Sequence, residues 1–260
     1  MVMSMENTNE RLVKSEERIR DLGEVFTPSA TVQAMLALLP QDMWAIHPSP
    51  TFLEPACGDG NFLVAILEHK LDRIARDFSN GRLPAGDTPE AAQFHGLEAL
   101  ASIYAVDISV DNIVGDKAGH DLGARRRLLK EFAEWNKHVL AKRLEIRSLM
   151  LRAAEWVVLH NVLVGNMLPF GVDGQPSGRD SIPIIEYCFE PVDQSVVMKR
   201  TTMGEILASE REMNSRMLLS FGTEESSFLW RGKATKLSHA ERIEAPKLRG
   251  PANNRIGRRR

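Results

Sequence analysis

Thr51-Phe52-Leu53-Glu54-Pro55-Ala56-Cys57-Gly58-Asp59-Gly60-Asn61-Phe62-Leu63 is the stretch on which the fold turns. A short apolar run ends in a carboxylate, a Gly-x-Gly turn follows, and Phe62, Leu63, Ile66, Leu67 and Leu71 then recur at helical spacing. The pattern predicts a strand, a tight turn and a helix. Glycine lets the backbone reach positive φ and lets another group approach without meeting a Cβ, and a helix start presents unpaired N–H groups. Turns of this kind bind nucleotide-like cofactors.

The third glycine position discriminates among such cofactors. A dinucleotide fingerprint needs Gly-x-Gly-x-x-Gly so that a pyrophosphate can rest on the helix N-terminus. Here the sixth position is Leu63, and Asp59 stands between the two glycines. A carboxylate suits a ligand with a positive end, such as the ammonium and sulfonium of S-adenosylmethionine (SAM). The run Glu54 to Leu63 resembles motif I of the amino-group DNA methyltransferases, especially the adenine-N6 class, which includes modification subunits of type I restriction systems and phage methylases.

Upstream, Leu22-Gly23-Glu24-Val25-Phe26-Thr27-Pro28 precedes a helix with Ser29 as candidate N-cap and Val32, Met35, Leu36 and Leu39 on one face. Phe26-Thr27-Pro28 resembles motif X of the same family, which lies over the methionine end of SAM. Downstream, a helix is expected to about Phe78, a Gly/Pro loop from Ser79 to Asp87, and a second helix from Pro89 to Leu100. Ile103-Tyr104-Ala105-Val106-Asp107-Ile108 is another apolar run ending in an acid. Such an acid can accept hydrogen bonds from both hydroxyls of a ribose. The run resembles motif II, with Asp107 as ribose ligand. The plainer alternative is an Asp that caps the next helix, a role for which Ser109 is better placed.

From Asp111 to about His160 the pattern predicts two or three helices, with Leu128, Leu129, Phe132 and Trp135 as an apolar stripe. The cluster Arg125-Arg126-Arg127 could touch phosphate, although a charge run on a helix is more often its wet face. Asn161-Val162-Leu163-Val164-Gly165-Asn166-Met167-Leu168 then resembles motif III, with Asn166 where the family has Asp. The resemblance thus implies a donor site built from Phe26, Thr27, Pro28, Glu54, Pro55, Ala56, Gly58, Asp59, Gly60, Asn61, Phe62, Asp107, Ile108, Asn166 and Met167. It implies a Rossmann-like α/β fold of the class I methyltransferases, with helices on both faces of a mostly parallel sheet.

Methyl transfer to adenine N6 needs more than a donor, because the amine lone pair is delocalised into the ring. The family uses motif IV, Asn/Asp-Pro-Pro-Tyr/Phe, whose oxygens accept the amine N–H bonds while its ring stacks on a flipped base. No such tetrapeptide occurs in the 260 residues. Asn166-Met167-Leu168-Pro169-Phe170 is the nearest string, with Asn166, Pro169 and Phe170 in the right order but one residue too many. Either it is a degenerate motif IV, or Asn166 belongs to motif III alone. The Pro-Cys nucleophile of cytosine-C5 enzymes is missing too, since Cys57 lies in the turn and Cys188 follows Tyr187.

Ile182 to Phe189 and Val196 to Arg200 read as a hairpin at a late sheet edge, and a helix is expected from Thr202 toward Leu219. A full target-recognition domain does not fit in what remains, so a partner subunit could supply one. Residues 231–260 are rich in Lys and Arg, with only Glu241 and Glu244 opposing them, which leaves the body acidic. That asymmetry fits either a DNA-binding tail or a solvated, unstructured terminus. The domain expectation is a helical extension over 1–21, a methyltransferase-like domain over 22–230 and the basic tail over 231–260. Two cysteines, a charged N-terminus without an apolar core and no long apolar run fit a cytoplasmic protein.

Overall fold

The computed structural model describes residues 15–22, 25–116, 121–141, 148–209 and 235–236. Three parallel strands form its centre: β1 (Phe52–Glu54), β2 (Ile103–Asp107) and β3 (Val162–Val164), in the order β1-β2-β3. Phe52 pairs with Ile103, and Ala105 with Val162. The strand order follows the chain order, so among the described residues the sheet contains no reversal and β1 is an outer strand. Leu53, whose backbone faces away from β2 in this register, is 47% exposed.

Alternation along the strands divides the core. Ile103, Ala105 and Val162 face α3 (Asn61–Ser79), α4 (Pro89–Ala101), α6 (Gly123–Val139) and α7 (Leu149–Asn161). Each helix has a local cause. Thr88 caps α4 by accepting the Ala91 N–H at 3.1 Å, with Pro89 at the first helical position. Ser148 caps α7 in the same way through Leu151. From Ala91 to Ala101 every residue of α4 is buried, because α3, α6 and α7 surround it. A Cβ on Gly96 would lie 2.9 Å from the Trp135 ring and 3.2 Å from that of Phe132, so this glycine is what admits the apolar stripe of α6. Trp135 in turn donates to the Leu71 carbonyl at 3.1 Å and fastens α6 to α3.

Tyr104 and Val106 point to the other face, where Ile182, Ile184 and Met203 cover them. The hairpin of β4 (Pro183–Glu190) and β5 (Ser195–Thr202) is therefore not an edge of the central sheet. It forms a second, antiparallel sheet laid on that face, with the Tyr104 hydroxyl donating to the Ile185 carbonyl. So helices flank one face, while the other carries the hairpin and the helical residues 203–209.

Three further differences concern ends. α1 (Glu16–Leu22) precedes α2 (Ser29–Leu36), whose cap position is Pro28, so Ser29 is the first helical residue rather than the cap. The expected helix from residue 202 begins at 203, and its course beyond 209 lies outside the described residues, as does the extension before Ser15. Within the tail expected to be basic and unstructured, Thr235–Lys236 forms β6 and pairs antiparallel with Val197 and Met198. The rest of the tail lies outside the described residues. No described helix is long and apolar enough to cross a membrane.

Candidate functional site

The turn joining β1 to α3 is held from three sides. Gly58 and Gly60 adopt φ of +55° and +96°, values that disfavour any side chain. The spaces their Cβ atoms would occupy are filled by the protein itself: the Phe26 ring lies 3.1 Å from one and Ala124 of α6 lies 3.0 Å from the other. The glycines are thus required by the packing of the turn, whatever ligand it meets. Asn61 donates to the Thr27 carbonyl at 3.0 Å, so the Phe26-Thr27-Pro28 turn is bound to the glycine turn across thirty-four positions of sequence.

Asp107, 8% exposed at the end of β2, supplies the third hold. Its Oδ2 accepts the Gly58 N–H at 2.9 Å, and Oδ1 accepts the Ser109 N–H at 2.8 Å and the Asn112 side-chain amide at 3.1 Å. A carboxylate offers about four acceptor directions, so three bonds leave room for one more. Of the two sequence alternatives for Asp107, the structure bears on the local one. Asp107 holds the start of α5 (Val110–Val114) as a capping residue would, and it retains an acceptor site beside the glycine turn. Ser109 occupies the cap position without a capping hydrogen bond from its side chain.

The three acids expected at the site do gather. Burial raises the Cys57 thiol far above its ordinary range, and the charges of Asp107, Glu54 and Asp59 each push it further in that order of strength, so all three lie within electrostatic reach of one sulfur. A thiol held protonated this firmly is no nucleophile. Asp59, however, is not the acid left for a cationic ligand. Arg127 of α6 lies 2.9 Å from Asp59 Oδ1, donates to the Asp59 carbonyl at 2.9 Å and reaches Asn61 Oδ1 at 2.8 Å. Glu54 is half-buried, its Oε1 accepting the Ala56 N–H at 3.2 Å. It is the acid of the three with most acceptor capacity to offer.

The remaining expected residues divide. Pro55 and Ala56 are exposed beside the turn, and Ile108 is 58% exposed next to Asp107, where an apolar surface borders the acids. Phe62 packs into the helical core and Met167 against Tyr104 and Val106, so neither faces the acids as a ligand contact would. Gly165 donates to the Asp107 carbonyl at 2.9 Å, which places Asn166 on the β2 side of the turn. Asn166 Oδ1 accepts the Leu168 N–H at 3.0 Å, and the Asn166 and Leu168 carbonyls both accept from Ser177. Pro169 and Phe170 are exposed within this self-closed loop. Of the Arg125-Arg126-Arg127 cluster only Arg126 is exposed, because Arg125 donates to the Val162 and Leu159 carbonyls.

A second polar group lies at the opposite end of the strands. Glu98 of α4 takes the Ser49 N–H at 3.0 Å and His47 Nδ1 at 2.9 Å on one oxygen, and lies 3.3 Å from His95 Nδ1 on the other. Lys70, 2% exposed, donates at 2.7 Å to Ser49 Oγ and to the Pro50 carbonyl. Burial lowers its ammonium to about 7, against the attraction of Glu98. Glu98, His47 and Ser49 themselves line a cavity of about 130 Å³, with Ser102, Tyr187 and Cys188 on its other sides. Sequence reasoning missed this group and the Asn112 and Arg127 contacts, whose partners are far apart in the chain.

Comparison of the chain with protein-family models, with curated proteins and with solved structures finds no match in any of the three.

Proposed function

We propose that this chain is a SAM-dependent DNA methyltransferase-like protein of the adenine-N6 type, with a Rossmann-like donor-binding fold of the class I kind. The reading rests on one observation above others: the Phe26-Thr27 turn folds onto the Gly58–Asn61 turn, where acids end two adjacent parallel strands. Crevices at the C-terminal ends of parallel strands are where α/β sheets hold nucleotides. In this reading Glu54 faces the cationic end of SAM, Asp107 takes one ribose hydroxyl with its remaining acceptor direction, and Ile108 lies against the adenine. These residues bind and orient the donor. Bound SAM would supply an electrophilic methyl group to an adenine amine, leaving S-adenosylhomocysteine, with the amine proton passing to solvent.

A second reading is a SAM-binding subunit without turnover of its own, working in a modification or anti-restriction assembly. It is favoured by Asn166, whose side-chain oxygen is turned to the Leu168 N–H rather than outward to a base. Calorimetry with SAM, run beside transfer of tritiated methyl to unmethylated DNA, separates the two. Binding with transfer supports the enzyme. Binding without transfer supports the subunit, and no binding removes both.

A further inference from the structure

Arg18 of α1 reaches toward the candidate donor site. Arg18 Nη1 lies 2.6 Å from Asp111 Oδ2, and its Nη2 donates to Asn112 Oδ1 at 3.4 Å. Asn112 is 1% exposed, and its other amide atom, Nδ2, donates to Asp107 Oδ1. Asp107 Oδ2 then holds the Gly58 N–H. Three hydrogen bonds therefore connect a residue of the N-terminal helix to the glycine turn.

The polarity of this chain is what gives Arg18 its role. An amide can present either its oxygen or its NH2 to a neighbour. With the oxygen toward Asp107 it would meet a carboxylate that also only accepts. The guanidinium donating to Oδ1 reinforces the orientation that the carboxylate favours, with the NH2 facing Asp107, and ties that amide to α1. Arginine suits the task because its planar fork spans two acceptors on successive residues, Asp111 and Asn112, as a lysine ammonium does not. The Arg18–Asp111 pair is part-buried, with side chains 22% and 37% exposed, so its effect on the site has to be read apart from its effect on stability.

We propose that Arg18 is a positioning residue of the donor site: by fixing the Asn112 amide it sets the Asp107 carboxylate that anchors the glycine turn. Which ligand feels this rests on the donor reading above, whereas the linkage itself is made by the chain's own residues. The full chain is compared with Arg18→Gln, Arg18→Lys, Asn112→Ala and the double variant Arg18→Gln/Asn112→Ala. Amide exchange at Gly58 and at Leu67 is read by NMR, and SAM affinity by calorimetry. Arg18→Gln is expected to speed Gly58 exchange and weaken SAM binding, each by about tenfold, while Leu67 deep in α3 is unchanged. Arg18→Lys recovers part of the loss, and Arg18→Gln adds nothing in the Asn112→Ala background. Unchanged Gly58 exchange in Arg18→Gln overturns the proposal, as does an effect of equal size in the Asn112→Ala background. If the wild-type chain binds no SAM while Gly58 exchange responds as expected, the donor reading fails and the positioning role stands.

Discussion

The two ends of the parallel strands both collect ionisable groups, and they set them in different surroundings. At the C-terminal end, Asp107, Asp59 and Glu54 are held largely by backbone N–H groups and by Arg127, and apolar Ile108 stands exposed beside them. At the N-terminal end, Glu98, His95 and Lys70 are buried and bonded to Ser49, Pro50, Pro84 and His47, and Glu98 borders a cavity that His47 and Ser49 also line. Asp107 and Glu98 each take three hydrogen bonds, so the ends differ in their surroundings rather than in that count: half-buried Glu54 and exposed Ile108 stand beside Asp107, while Lys70 and His95 lie buried beside Glu98. A cluster of titratable residues is therefore no sign of a site by itself; its surroundings have to be read with it.

That contrast can be broken most forcefully at Glu98. Glu98→Ala removes the acceptor for His47, His95 and the Ser49 N–H, and is expected to cost about 3–5 kcal/mol of stability while leaving SAM affinity unchanged in the folded fraction. Chemical denaturation with calorimetry checks it, and lost affinity at full stability would place function at the wrong end.

Lys70 gives the next largest effect. Its folded-state value of about 7 lies below the unfolded value of 10.5, so between those two pH values the unfolded chain binds more protons. Stability should therefore rise with pH across that window, by on the order of 2–4 kcal/mol in all. Lys70→Met should flatten the rise. Denaturant midpoints at pH 6.5 and pH 9.5 measure it, and a slope that survives the substitution assigns the titration to another group.

At the other end, Asp107→Ala is expected to weaken SAM binding by about 1–3 kcal/mol. It should also destabilise the fold, since Gly58, Ser109 and Asn112 lose their acceptor. An unaltered affinity would confine Asp107 to a structural role. The smallest effect is at Glu54. Glu54→Gln should reduce the preference for SAM over S-adenosylhomocysteine, which lacks the sulfonium charge, by about 0.5–1 kcal/mol, with no change in melting temperature. Equal losses for both ligands would show that Glu54 does not sense the sulfonium charge.

Local signals carried β1, α3, α4 and β2 into the reading of the sequence almost to the residue. Each is a run whose apolar spacing, cap or glycine lies inside the element itself, as with Thr88 and Pro89 at the start of α4. Interactions between distant segments were not legible. Nothing near Arg127 says that it will grip a turn sixty-six residues earlier, and a run of arginines on a helix looks alike whether it faces solvent or, as Arg125 and Arg127 do, the protein. The hairpin was recognisable from alternation, but its seat on Tyr104 and Val106 rather than at an edge depends on which face of β2 the helices leave bare. In the candidate site the positions of the acids were legible and their partners were not.

The outer position of β1 has a consequence for the sheet. Among the described residues no strand pairs with its far side, and Leu53 there keeps 47% of its surface accessible. The row of backbone groups on that flank is left for something other than a fourth described strand to meet.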